Sequence, residues 1–193
     1  IKELDQISDL NLTSEVDLLS KHPNIKYLFL PYDTDFYDIK KSVSAPIKVC
    51  HSPTNRYYKG SNDIIRVCND LENKGIIQFS LIEGKRHEEV IREKKDCDIY
   101  IDQIHNRGGW GYGMSSIESL SMGIVCLTEL VKEYKNFIPD HPFVNVNKDN
   151  LSEKIIELSK NKELLIRKKI EIDPKNPKFL QTLRGEGYVL WIE

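Results

Sequence analysis

The stretch Asp96–Glu129 constrains the fold more than any other part of this chain. It holds a β-prone run at Ile99–Ile104, then a glycine-rich loop, a helical segment and a second β-prone run at Ile124–Leu127. This order is that of a β-α-β unit, in which two parallel strands are joined by a right-handed crossover. We therefore expect a parallel sheet.

The sequence upstream continues the alternation. Ile47–Cys50 and Ile76–Ile82 are predicted strands, and between them Ser61 is predicted to cap a helix with an apolar stripe. Arg86–Lys95 is a polar helical segment with two obvious core residues, so we interpret it as a surface helix. The pattern predicts an α/β fold: a Rossmann-like parallel sheet with helices on both faces.

Both ends of this region carry weaker signals. Ile7–Leu12 and Ile25–Leu30 are predicted strands near the start of the chain. Asn150, with Glu153 three residues later, predicts a capping box at the start of a late helix.

The glycine-rich loop suggests a phosphate site. Unpaired N–H groups at a helix N-terminus, together with the helix dipole, favour an anion. Glu118 lies one turn further in, where a carboxylate could accept hydrogen bonds from ribose hydroxyls. Glycines before a helix can also be plain turns, and the loop does not fit a dinucleotide fingerprint. The predicted cradle consists of Gly111, Tyr112, Gly113, Met114 and Ser115.

The loop after the strand at Ile47–Cys50 supplies the predicted cations. Arg56 and Lys59 are candidates for neutralising a diphosphate, although exposed cations in loops are more often simply solvated. His51 and His105 follow predicted strands and could be a base, a phosphate partner or bystanders. Four aromatic residues could stack on a base or sugar, or cover the core: Tyr57, Tyr58, Trp110 and Tyr112.

Metal and disulfide chemistry are not favoured. Asp33 with Asp35, and Asp96 with Asp98, have the D-x-D spacing of some divalent-metal sites, but such pairs are more often solvated turns, so we expect no metal. The cysteines lack C-x-x-C spacing and lie in apolar runs, which predicts buried, reduced thiols in a cytoplasmic protein: Cys50, Cys68, Cys97 and Cys126.

Charge and hydropathy exclude further classes. The formal net charge of -2 does not indicate a nucleic-acid-binding surface. No apolar run approaches the roughly 18 residues that span a bilayer, so any membrane contact is expected to be peripheral.

Two motifs together resemble one family. D-x-x-x-D-Q at Asp98–Gln103, followed by G-W-G-Y-G-M-x-x-x-E-S-L-S-M-G-I-V from Gly109, is similar to the nucleotide-sugar-binding half of GT-B glycosyltransferases of the family 4 type. The likeness includes H-S-P-T-N-R-Y-Y-K-G at His51–Gly60 and covers about residues 1–160. With 193 residues, the chain is too short for both halves of such an enzyme. It begins with Ile rather than Met, which we interpret as a piece of a longer protein.

The resemblance implies a chemistry. It implies transfer of a sugar, of the hexosyltransferase type, from a nucleotide sugar to an unknown acceptor such as a glycan, once an N-terminal acceptor-binding half is present. Lys59 then contacts phosphate and Glu118 contacts ribose, without a metal and with retention of anomeric configuration. Trp110 stands where the family has the first glutamate of its Glu-x7-Glu pair, and Thr54 where it has an arginine. No catalytic residue is identified, and a catalytically dead interaction domain is the alternative.

The tail has a different character. Residues 167–193 resemble the C-terminal wing of winged-helix response regulators, with strand-like runs at Phe179–Leu183 and Tyr188–Ile192 around a glycine-rich turn. We therefore divide the chain into a domain at residues 1–166 and a hairpin tail at 167–193. A DNA-binding regulator fragment is the alternative function, based on the basic residues Lys168, Lys169, Lys175, Lys178 and Arg184.

Overall fold

We describe the protein from a computed structural model. The described residues are 7–19, 21, 23–28, 42–105, 107, 111–137, 141–171, 181–183 and 187–189.

The N-terminal part forms a small unit of its own secondary structure. Strand β1 (Asn11–Thr13), helix α1 (Val16–Leu19) and strand β2 (Ile25–Tyr27) form a parallel two-stranded sheet. Both strands are shorter than the sequence predicted, and β1 begins near the end of the predicted run rather than at Ile7. The Tyr27 hydroxyl lies 2.9 Å from that of Tyr134, which ties this unit to the main body.

A five-stranded, all-parallel sheet forms the centre of the molecule, as predicted. Its strands have the spatial order β4-β3-β5-β6-β7. They are β3 (Ile47–His51), β4 (Ile77–Leu81), β5 (Ile99–Ile101), β6 (Val125–Thr128) and β7 (Val144–Asn145).

The inner strands are buried on both sides, which explains their almost uninterrupted apolar sequences. Val49 lies opposite Ile99, and Ile99 opposite Val125; all three side chains are fully buried. The adjacent row joins Tyr100 to a cysteine on each side, pointing to the other face of the sheet. All four cysteines are buried and form no disulfide with one another, as predicted.

Seven helices follow β2 in the described chain. They are α2 (Arg56–Lys59), α3 (Ser61–Asn73), α4 (His87–Lys95), α5 (Met114–Ser121), α6 (Lys132–Phe137), α7 (Leu151–Lys160) and α8 (Lys162–Glu171). Right-handed crossovers place α3 on one face of the sheet and α4 and α5 on the other. Helix α7 contacts α3 and α8. Because α3 lies on one face of the sheet and α4 and α5 on the other, helices cover both faces, as predicted.

Three local predictions are wrong. Ser61 does not cap α3: Gly60 is the N-cap, and the Ser61 hydroxyl bonds to His51 instead. Asn150 precedes α7 without a side-chain capping bond, because its side chain accepts from the Asn147 amide. Helix α4 is not merely a surface cover, since Lys94 is completely buried.

The C-terminal region partly matches its prediction. Strands β8 (Gln181–Leu183) and β9 (Gly187–Val189) pair antiparallel, which confirms a hairpin. Helix α8 runs across the proposed division at residue 166. Its buried Lys169 donates to the Ser42 carbonyl at 3.2 Å and lies 3.4 Å from Asp98, so this cation of the predicted DNA-binding set belongs to the interior of the α/β body.

Within the described ranges, no helix has both the length and the apolar character required to cross a membrane.

Candidate functional site

The strand order creates a crevice between β3 and β5. The chain leaves β3 through α2 and α3 towards β4 on one side, and leaves β5 through α5 towards β6 on the other. Two loops that diverge in this way leave an opening at the carboxyl ends of their strands, which is where open α/β sheets bind ligands. Strands β3 and β5 pair directly and in parallel.

Lys59 reaches this crevice from the β3 side. Asn55 caps the short helix α2 by accepting from two backbone amides, and Gly60 ends it in a left-handed conformation. The Lys59 ammonium lies 2.6 Å from Asp102 Oδ1 and 3.1 Å from Gln103 Oε1. An ammonium has three N–H groups. Among the described residues these two contacts use two of them, so one remains for a ligand oxygen.

Asp102 joins the two loops. It follows β5, is fully buried, and pairs with Lys59 through one carboxylate oxygen. The other oxygen accepts from the Ser116 hydroxyl at 2.7 Å and the Gly113 amide at 3.3 Å. The carboxylate therefore holds the first turn of α5 beside the lysine. A Cβ added to Gly113 would lie 3.8 Å from Lys59 Nζ, which shows how closely the two elements approach.

Glu118 lies deeper along α5 and is engaged on one side. Its Oε2 accepts from the buried Lys94 ammonium at 3.0 Å, and its Oε1 lies 3.5 Å from Nε2 of the exposed His87. The carboxylate is largely buried between α4 and α5. It lies on the face of the sheet that α4 and α5 cover, as Asp102 does.

Three residues of this network were not predicted as site residues: Lys94, Tyr100 and Asp102. Lys94 also donates to Ser115, whose hydroxyl is bonded to the Tyr100 hydroxyl at 2.9 Å. Burial and the nearby Asp102 charge raise the pKa of Tyr100 well above its ordinary value, so the phenol remains protonated. A signal existed only for Asp102, which lies within the predicted strand at Ile99–Ile104 and belongs to the D-x-x-x-D-Q motif.

Arg56 lies at the rim rather than in the crevice. Its guanidinium makes a two-pronged pair with Glu83, with Nε 2.8 Å from Oε1 and Nη2 2.5 Å from Oε2. The paired guanidinium lowers the pKa of Glu83. Arg56 and Lys59 thus diverge, although both belong to α2.

The aromatic candidates separate into two groups. Tyr112 packs between Tyr134 and Phe143, with ring centroids 5.3 and 5.0 Å away, so it covers the core instead of presenting a face to a ligand. Tyr57 and Tyr58 are exposed, and the Arg107 guanidinium lies 4.8 Å from the Tyr57 ring centroid. Trp110 lies outside the described residues, as do Gly109 and Gly108.

His51 is not a site residue. It is fully buried, and its Nδ1 donates to the Ile101 carbonyl at 2.8 Å, so Nε2 accepts from the Ser61 hydroxyl at 2.8 Å. Burial lowers the pKa of His51 to about 4, which keeps the ring neutral. No ring nitrogen faces the crevice.

His105 lies next to the crevice with a left-handed backbone, φ 72°. Its amide donates to Glu129 at 2.7 Å, and its Nε2 lies 2.8 Å from Asp63 Oδ2, a contact that lowers the pKa of Asp63. His105 therefore ties helix α3 to the loops that follow β5 and β6.

The aspartate pairs were also considered as metal ligands. The Asp98 carboxylate accepts from the Ser44 and Lys48 amides at 3.2 and 3.0 Å and is buried, which is a structural role. Asp33 and Asp35 lie outside the described residues. Among residues that are described, no cluster of three or more potential ligands is found.

The fold has counterparts among known structures, whereas no protein-family model and no curated protein matches the sequence. A TarM variant from S. aureus, in complex with fondaparinux, α-GlcNAc-glycerol and UDP, superposes with a TM-score of 0.63 at 13% identity over 84% of this chain. HepE from Anabaena, in complex with UDP-glucose, gives a TM-score of 0.64 at 10% identity over 86%. WaaG, a glycosyltransferase involved in lipopolysaccharide biosynthesis, gives 0.55 at 11% identity over 84%.

These likenesses establish the fold: the α/β body is that of one Rossmann-like half of a GT-B protein. The chain spans 39% of the TarM chain, 58% of HepE and 56% of WaaG. They do not support the resemblance of the tail to a winged helix.

Proposed function

We propose that this chain is the donor-binding part of a glycosyltransferase that takes a nucleotide sugar, the class of ligand that HepE holds. The observation that carries the proposal is the meeting of Lys59 with the first turn of α5 at the crevice between β3 and β5. A cation and helix amides that converge at this point suit a diphosphate. Two of the structural neighbours hold UDP or UDP-glucose, which makes UDP the first ligand to test.

In the proposed complex, the third N–H of Lys59 bonds a phosphate oxygen. The amides at the start of α5 bond the same group, and Glu118 accepts from ribose hydroxyls. Asp102 does not contact the ligand; it orients Lys59 and α5 towards each other. Arg56 is removed from the diphosphate by its pair with Glu83 and takes a secondary place at the rim.

The wider parts of the proposal rest on the sequence resemblance. Transfer needs an acceptor-binding half, proceeds without a metal and retains the anomeric configuration. A glycan is the proposed class of acceptor. The four free, buried cysteines suit a reducing compartment, so we place the protein in the cytoplasm.

The test compares ligands that differ only in phosphate. Lys59→Ala is expected to weaken the binding of UDP by about 1.5 to 3 kcal/mol, roughly ten- to 150-fold, because a charge-assisted contact is lost. Uridine affinity is expected to stay nearly constant. Isothermal titration calorimetry with both ligands measures the difference, and GDP and ADP establish the base.

Two controls sharpen this measurement. Arg66→Ala removes an exposed cation of α3, paired with Asp63, and should change neither affinity. Because Lys59→Ala leaves Asp102 buried without its partner, the double variant Lys59→Ala/Asp102→Asn restores the charge balance and should show the same selective loss. Equal losses for UDP and uridine, or no binding of any nucleotide at millimolar concentration, would refute the site.

A further inference from the structure

Lys94 is a completely buried cation near the end of α4, next to the exposed Lys95. Its ammonium donates to Ser115 Oγ at 2.5 Å, to the Ser115 carbonyl at 3.2 Å and to Glu118 Oε2 at 3.0 Å. It also lies 4.4 Å from the centroid of the Tyr100 ring. All three N–H groups thus have acceptors, and an aromatic face covers the charge.

Stability alone is a weak reason for this arrangement. Desolvating an ammonium and a carboxylate costs about as much as their attraction returns, and apolar side chains of similar volume often serve a core as well. The pair does, however, fix the position of Glu118, since a carboxylate bonded to a fully enclosed donor cannot rotate freely.

The two oxygens of Glu118 have different surroundings. Oε2 points inwards to Lys94, and Oε1 points towards His87, whose side chain is 66% exposed. Helix α4 begins at His87, on the edge of the sheet where the crevice opens. The inward bond therefore leaves the outward oxygen directed at the open side of the groove between α4 and α5.

The same ammonium also positions the start of α5. Ser115, which it holds through both side chain and carbonyl, is bonded to Tyr100, and the Tyr100 hydroxyl lies 3.5 Å from Asp102 Oδ1. Asp102 in turn holds Lys59. A continuous hydrogen-bonded network thus connects the proposed ribose end of the site to its phosphate end.

We infer that Lys94 is a positioning residue for the ribose: it locks one oxygen of Glu118 so that the other accepts from the ribose hydroxyls. This inference rests on the proposed nucleotide site and adds to it a residue that contacts no ligand. Lys94 sets the preference for ribose over deoxyribose, whereas Lys59 sets the preference for diphosphate over nucleoside.

The experiment uses the whole chain and three ligands: UDP, 2′-deoxy-UDP and uridine. For the wild type we expect UDP to bind about tenfold more tightly than 2′-deoxy-UDP, because a hydrogen bond to a charged acceptor is lost. In Lys94→Met, whose unbranched, uncharged side chain is one heavy atom shorter, Glu118 loses its anchor. We expect the preference for UDP over 2′-deoxy-UDP to fall to about twofold or less. The ratio of UDP affinity to uridine affinity should stay as in the wild type.

Three variants complete the test. Lys95→Met changes the exposed neighbour and should leave both ratios unchanged. Glu118→Gln retains Lys94 and should lose the ribose preference in the same way, which provides the measurement if Lys94→Met does not fold. In the double variant Lys94→Met/Glu118→Gln, the preference for UDP over 2′-deoxy-UDP should be no lower than in either single variant, because the two residues act as a unit.

The outcomes separate the two proposals. A wild type that binds no nucleotide overturns both. Binding with the diphosphate preference intact, but with the ribose preference unchanged in Lys94→Met or in Glu118→Gln, overturns the role of Lys94 and leaves the donor site standing. An equal loss for all three ligands in Lys94→Met also overturns it, since that is the effect of a merely structural residue.

Discussion

Two buried polar clusters lie on opposite faces of the same strands and differ in chemistry. The neutral cluster, on the α3 face, consists of His51, Ser61 and the Ile101 carbonyl. The charged cluster, on the α4 and α5 face, consists of Lys59, Asp102, Ser115, Glu118, Lys94 and Tyr100. The consecutive residues Lys59, Gly60 and Ser61 connect them.

The two clusters show that structural and functional polar groups of this molecule differ in whether they lead to an opening. In the neutral cluster, both ring nitrogens of His51 are satisfied internally, so the cluster is closed. In the charged cluster, Lys59 remains 20% exposed and Glu118 10% exposed, so the buried charges lead to an opening. Charges are costly to bury, and here they extend to the place where a charged ligand would complete them.

The largest expected effect is at the glycine that joins the clusters. A Cβ on Gly60 would lie 2.3 Å from the Ile104 carbonyl oxygen, and the residue has φ +66°. Gly60→Ala is therefore expected to cost about 4 kcal/mol, from the left-handed strain and the clash together. Gly75→Ala is the matched control, since its φ is +68° but nothing lies within 4 Å; it should cost about 1 kcal/mol. Urea unfolding measures both, and equal losses would contradict the close approach.

The next effect concerns the neutral cluster and pH. The folded-state pKa of His51 is lowered to about 4, from 6.5 when unfolded, so between these values the unfolded chain binds more protons. The contribution of neutral His51 to the free energy of unfolding is complete above pH 6.5. It decreases as the pH falls towards 4, by up to about 3 kcal/mol. Unfolding free energies at several pH values should show a smaller acid loss in His51→Gln than in the wild type. A wild-type profile in His51→Gln would contradict the assignment.

The smallest effect is expected at the rim. Arg56 belongs to the same short helix as Lys59 but is exposed and already paired with Glu83. Exposed ion pairs contribute little, so Arg56→Ala should change UDP affinity by less than about threefold. A tenfold loss by calorimetry would place Arg56 on the diphosphate and extend the charged cluster to the rim.

Sequence reasoning found the sheet, because its strands and helices depend on local patterns. The apolar runs at β3 and β5 and the glycines before α5 are readable one segment at a time. Lys59 and Glu118 were placed near the site by motif resemblance. The error at Ser61 had a different origin: this residue looked like a helix cap, since the sequence does not show which partner a side chain reaches.

The sequence by itself determined the order of strands and helices along the chain and the turns that need glycine. These follow from periodicity and from the handedness of parallel crossovers, which act over short distances along the chain. Only the tertiary structure decided that Lys94 is buried, that Asp102 links Lys59 to α5, and that His51 is sealed away. Those pairings join residues from separate elements, and burial of a charge depends on which partners the packing supplies.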